Sequence, residues 1–160
     1  MEPVKFIITQ DLLASRGLRF LNCLLDLLFI YILGVSAAAS VDIIADMTYN
    51  YSLSAWIENM VISTKVFFGI VIMVFYYGFT EFYLSRSVAK YLTKTVVVMQ
   101  DGSRPDRNTI LKRTLCRLIP FDMFTFLGAD ARGWHDAFSQ TYVVKKHRFN
   151  SKKGHVPFYG

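Results

Sequence analysis

Arg19, Asn22 and Asp26 stand at i, i+3 and i+7 in the sequence. On a helix those offsets share one face, so an arginine, an amide and a carboxylate make a single polar stripe. The run around them is apolar: Leu18 to Ser40 is 23 residues with Arg19 and Asp26 as its only charges. An aspartate at the centre of a bilayer costs roughly 2.5–3.5 kcal/mol on insertion scales, so it turns to the protein interior, takes partners and is a functional candidate by default. Asp26 lies about 10.5 Å along the axis from Arg19, too far for the two to pair, and Arg19 leans toward the nearer surface. Glu81, at the end of the second apolar run, is its expected partner. For Asp26 the candidates are Arg117, His135 and Lys90, or an uncharged Asp26 carboxyl bonded to Asn22. The chemistry open to such a stripe is ion or proton movement, or fixing the remainder of the chain against the membrane helices.

The elements that must position these groups follow from length. Leu18–Ser40 and a second run of about 25 residues from Met60 to Leu84 each exceed the ~20 residues needed to cross ~30 Å of hydrocarbon. Two transmembrane helices are expected, about 18–40 and 60–84, joined by a loop over 41–59. Ala37-Ala38-Ala39 satisfies a signal-peptidase pattern, but an aspartate inside the run and a long polar lead argue against a cleaved signal. Tyr76, Tyr77, Phe79, Phe82 and Tyr83 read as an interfacial belt at the end of the second helix.

Charge gives the orientation. The 160 residues hold 18 Lys+Arg against 12 Asp+Glu, and 53% are hydrophobic. Between the helices, Asp42 to Glu58 carries three acids and no Lys or Arg, whereas residues 85–160 carry fourteen cations against five acids, a net of +9. By the positive-inside rule both termini are expected in the cytoplasm. This explains the basic balance without nucleic acid, for which no groove-reading motif is present.

Beyond Leu84 the pattern breaks into short pieces. Thr93–Met99 and Thr141–Val144 are β-branched and are expected to pair as a cytoplasmic β-ribbon, which is marginal alone and must lean on the rest of the protein. Between them, Asn108–Leu127 has apolar positions Ile110, Leu111, Leu115, Leu118 and Ile119 with Lys112, Arg113 and Arg117 opposite, interrupted by Pro120. It reads as a Pro-broken helix in the interface, with a third membrane helix as the alternative. Lys112 and Arg113 are assigned to lipid headgroups or a partner. A basic tail over 147–160 is expected to be flexible. The fold class is thus an all-α membrane protein with a short ribbon, one domain over 1–146.

Other chemistry is thin. His135, His147 and His155 show no metal-ligand spacing with each other or with Cys23 and Cys116, so no metal is expected. Both thiols are expected to be reduced. No nucleophile stands beside His135-Asp136, and no phosphate loop is present. Neither an enzyme nor a cofactor is expected.

The run Ala14-Ser15-Arg16-Gly17-Leu18-Arg19-Phe20-Leu21-Asn22-Cys23-Leu24-Leu25-Asp26, with Gly133-Trp134-His135-Asp136 before Ser139-Gln140-Thr141-Tyr142-Val143-Val144, resembles the RDD family of bacterial membrane proteins. The resemblance implies that Arg19, Asp26 and Asp136 are the arginine and two aspartates of the family's name. Ser85-Arg86-Ser87-Val88-Ala89-Lys90 is similar to the family's Gly-Arg-Thr-x-Gly-Lys connector, with both glycines replaced. The resemblance covers 14–146 and implies an inner-membrane protein, some of whose relatives are associated with cation/proton exchange. Two helices cannot enclose a pathway. Transport of a monovalent cation or proton therefore needs a homo-oligomer or other membrane subunits, and the alternative is an accessory subunit of a larger complex.

Overall fold

The computed structural model describes residues 8–119, 122–125 and 132–153. Its first helix, α1 (Arg16–Thr48), starts at Ser15, whose side chain accepts from the Leu18 N–H at 3.4 Å. The helix runs eight residues past Ser40 because no breaker intervenes until Tyr49 caps it in the left-handed region at φ 54°. At 1.5 Å per residue its 33 residues reach about 50 Å. A short helix, α2 (Ser52–Glu58), follows, then α3 (Ile62–Leu84). Among the described residues, α1 and α3 are the two helices long and apolar enough to cross a membrane.

The rest is built from small pieces: α4 (Val88–Leu92), β1 (Thr95–Met99), α5 (Arg107–Cys116), α6 (Asp122–Thr125), α7 (Trp134–Phe138), β2 (Thr141–Lys145) and α8 (Lys146–Lys153). β1 and β2 pair antiparallel, Thr95 opposite Lys145 and Met99 opposite Thr141. The expected ribbon is therefore present. Its alternation sorts the valines by face. Val96, Val98 and Val144 pack with Leu12 and Phe149, while Val97 and Val143 pack with Ala14 and Leu18 at the start of α1. The chain before α1 joins this sheet, with Leu13 bridging Val144 and the Ala14 N–H donating to the Val143 carbonyl at 2.9 Å.

One expectation changes here. Residues 147–153 are not loose: they lie in α8, anchored by Phe149, which is fully buried against the ribbon, while 154–160 lie outside the described residues. From Asn108 the described chain forms α5, whose ten residues reach about 15 Å, half of a bilayer core. Asp106 caps it, accepting from the Thr109 N–H at 2.9 Å, and α6 is a separate turn. Pro120 and residues 126–127 lie outside the described residues.

α3 ends at Ser85 in the left-handed region, φ 57°. Ser85 stands where the RDD connector pattern has its first glycine, and its buried hydroxyl has no partner. A serine there carries the Cβ strain of that conformation and an unmade hydrogen bond. Ser85→Gly is expected to raise the unfolding free energy by about 0.5–1 kcal/mol. Thermal unfolding in detergent checks this, and a lowered midpoint contradicts it.

Candidate functional site

The buried residues of α1 are Arg19, Asn22, Asp26 and Ala45, while most of its large apolar side chains are exposed. This inverts the order of a soluble helix. The polar stripe faces the ribbon and the short helices. Asn22 donates to the hydroxyl of Thr95, the first residue of β1, at 3.2 Å and accepts from Thr93 at 2.5 Å, and Thr141, the first residue of β2, meets Arg113 of α5.

Asp26 is held by neutral donors, not by Arg117, His135, Lys90 or Asn22. Tyr76 donates to its Oδ1 at 2.6 Å, Ser87 to its Oδ2 at 2.7 Å, and the Ala89 N–H to Oδ1 at 3.3 Å. Tyr76 and Tyr77 are both 7% exposed, so they are interior residues rather than belt residues. α4 is placed by this carboxylate. Ser87 caps it, and Ala89, at the connector's second glycine position, is fully buried with its backbone against Asp26.

The expected Arg19–Glu81 pair is replaced by a network. Arg19 reaches Asp136 on α7. Asp136 also accepts from Arg113 at 2.5 Å. Arg113 continues to Glu81 on α3 at 3.1 Å, where Lys90 at 2.9 Å and Arg117 at 2.6 Å converge. The assignment of Arg113 to lipid or a partner is overturned: its side chain is fully buried. α5 turns Ile110, Arg113 and Thr114 inward and leaves Leu111 and Leu115 more than half exposed. Two carboxylates from other elements make the arginine side the inward one. Lys112 stays exposed. Arg117 also lies over the Tyr77 ring, 3.9 Å from its centroid.

His135 adds a second pair. Its Nδ1 stands 2.6 Å from Asp122, whose other oxygen accepts the His135 N–H at 2.9 Å. A Cβ at Gly133 would fall 2.8 Å from the imidazole, so the ring approaches a bare backbone there. Burial pushes the imidazole down to about 3, helped by Arg117 and Arg113 and opposed by Asp122. The contact is thus a neutral ring donating to a carboxylate. Burial also pushes the Lys90 ammonium down, to about 8, against the pull of Glu81.

The depressed histidine has a signed consequence. Between about 3 and 6.5 the unfolded chain binds a proton that the folded one does not, so stability falls as pH falls through that window. Asp122, held below its ordinary value by the His135 hydrogen bond against its own burial, adds to the loss at lower pH. From pH 7 to pH 5 the wild type is expected to lose about 2 kcal/mol through His135, and His135→Gln to lose less. A flat wild-type profile in detergent unfolding contradicts this.

A cavity of about 270 Å³ lies beside these groups. Arg19, Asn22, Asp26, Lys90, Arg117, Asp122 and His135 line its polar part, and Leu27, Ile70, Met73, Leu118 and Ile119 its apolar part. Among the described residues the network beside it joins Arg19, Lys90, Arg113 and Arg117 with Asp26, Glu81, Asp122 and Asp136, and Arg132 donates to the Asp136 carbonyl at 3.2 Å. Asp26 and Asp122 have no cation within ion-pair distance among the described residues, and Arg117 Nη1 is buried without a partner.

Of the residues expected at the site, Arg19, Asn22, Asp26, Glu81, Arg117, His135 and Asp136 come together; Lys112 does not. Tyr76, Ser87, Asp122 and Thr141 were missed. Ser87 had a signal in its place within the connector, but a lone tyrosine in an aromatic run and an isolated aspartate carry none.

The geometry agrees with one comparison. A model of the RDD family matches residues 13–140, which contain every charged residue of this network. The chain matches no curated protein and no solved structure. With the family model spanning most of the chain and two apolar helices of crossing length, this is a membrane protein belonging to the RDD family.

Proposed function

We propose that the protein is a multi-pass component of the bacterial inner membrane, both termini cytoplasmic, that takes part as an oligomer or subunit in moving protons, monovalent cations or small polar solutes. The observation that carries this reading is the cavity of about 270 Å³ lined by both spans, with Asp26 and Asp122 on its wall. Ionisable groups at membrane depth are kept for function or for specific pairing, and Asp26 is paired with no cation. The net +9 of residues 85–160 sets the orientation by the positive-inside rule. α5 then lies in the interface, its exposed Leu111 and Leu115 toward hydrocarbon and Lys112 toward headgroups. No catalytic chemistry is assigned.

A second reading, an accessory subunit, is favoured by the pairing within the network: Arg19, Lys90, Arg113 and Arg117 are each held by Asp136 or Glu81, as in a structural junction. Ion/proton exchange in proteoliposomes separates the two. Transport predicts exchange in the wild type and at least a tenfold loss in Asp26→Asn with helical content retained. No exchange by well-folded wild type, alone or with co-purified subunits, contradicts it.

A further inference from the structure

We infer that the cavity is a lipid site, taking the zwitterionic headgroup of a phospholipid with a primary ammonium, a phosphoethanolamine, from the side of the bilayer. The inference goes beyond the transport reading and does not depend on it. Its first support is the rim. Leu27, Ile70, Leu118 and Ile119 line the cavity yet are 40%, 42%, 40% and 38% exposed, so the way in crosses an apolar surface between α1, α3 and the end of α5. An aqueous solute must leave water to pass that rim, whereas an amphiphile arrives already seated against it.

The second support is size. About 270 Å³ falls just below the ~300–1,000 Å³ of sites that take drug-sized ligands. It encloses a headgroup and not a whole phospholipid. The acyl chains stay outside, along the exposed faces of the spans.

The third is the layout of charge within. Arg19, Lys90 and Arg117 line the cavity, and among the described residues Arg117 Nη1 has an unused donor. The Arg117 side chain is only 9% exposed, and an orphaned buried guanidinium nitrogen calls for an acceptor. Asp26 and Asp122 line the cavity as well. Asp26 Oδ2 accepts one hydrogen bond and each Asp122 oxygen accepts one, whereas a carboxylate oxygen has room for two. A phosphate on Arg117 and an ammonium with three N–H donors on Asp26 and Asp122 complement both charges of the lining. A glycerol headgroup supplies no cation for the carboxylates, and a choline supplies no N–H.

The test is lipid retention. The full-length protein is reconstituted in nanodiscs containing equal parts of phosphatidylethanolamine, phosphatidylglycerol and phosphatidylcholine, extracted in mild detergent, and weighed by native mass spectrometry. The expected result is one retained phosphatidylethanolamine per chain, at least tenfold over either other lipid, and its loss in Ile70→Trp, which fills the rim. Retention of the three lipids alike, preference for phosphatidylglycerol or phosphatidylcholine, no retention, or unchanged retention in a folded Ile70→Trp each overturns the proposal. If Ile70→Trp does not fold, Cys23 decides, because it lines the same cavity. With Cys116→Ser as background, modification of Cys23 by a methanethiosulfonate reagent is expected to be several-fold slower in phosphatidylethanolamine discs than in phosphatidylcholine discs; equal rates overturn the assignment. Neither readout requires transport, so failure of ion exchange and failure of lipid binding are told apart.

Discussion

Glu81→Gln is expected to lower the unfolding free energy by about 3–5 kcal/mol, the largest effect of any single substitution in the network. The glutamate is 2% exposed and receives Lys90, Arg113 and Arg117 at 2.9, 3.1 and 2.6 Å. Glutamine keeps the shape but removes the only carboxylate that, among the described residues, Lys90 and Arg117 meet by an ion pair, and it turns an amide N–H toward donors. Lys90 has a relief that the arginines lack. Its ammonium already sits at about 8, so without Glu81 it sheds its proton, whereas a guanidinium stays charged. The penalty therefore falls mainly on Arg113 and Arg117. Unfolding in mixed micelles measures the effect, and a loss under about 1 kcal/mol means that these cations reach water or headgroups instead.

Arg113→Lys, a nominally conservative change, is expected to cost about 2–4 kcal/mol. The arginine sends Nε to Glu81 on α3 and Nη1 to Asp136 on α7, with Thr141 of β2 also on Nη1. A lysine ammonium is a single point and cannot serve two carboxylates in different directions. A residue that merely touched lipid headgroups would tolerate this exchange, as exposed Lys112 is expected to tolerate alanine within about 0.5 kcal/mol. Equal, small effects at both positions would return Arg113 to the surface. The two large effects are not additive, because Arg113 and Glu81 share one ion pair.

What the sequence made legible was the part governed by period and length. Two apolar runs gave both spans to within a few residues at three of four ends, and two β-branched pieces gave the ribbon. The stripe of Arg19, Asn22 and Asp26 could be read because three polar residues at helical offsets in an apolar run have no other reason to align. Pairing was not legible. Arg19 meets Asp136 across 117 residues, and no local spacing encodes such a contact. Arg113 misled for a related reason: a basic residue on an amphipathic helix defaults to the solvated face unless something elsewhere neutralises it. Its two partners come from α3 and α7. Tyr76 was hidden among aromatic neighbours whose exposed members, Phe79 and Tyr83, do behave as surface residues.

The network turns on one junction, the reach of Arg19 from the first span to Asp136 beside the ribbon, which holds the small elements over the spans. A double-mutant cycle of Arg19→Gln and Asp136→Asn, read by unfolding in micelles, tests it directly. The buried pair predicts coupling of more than about 1 kcal/mol, the double variant losing less than the sum of the singles. Losses that add within about 0.5 kcal/mol would show that the two residues do not meet, and the network with its cavity would have to be abandoned.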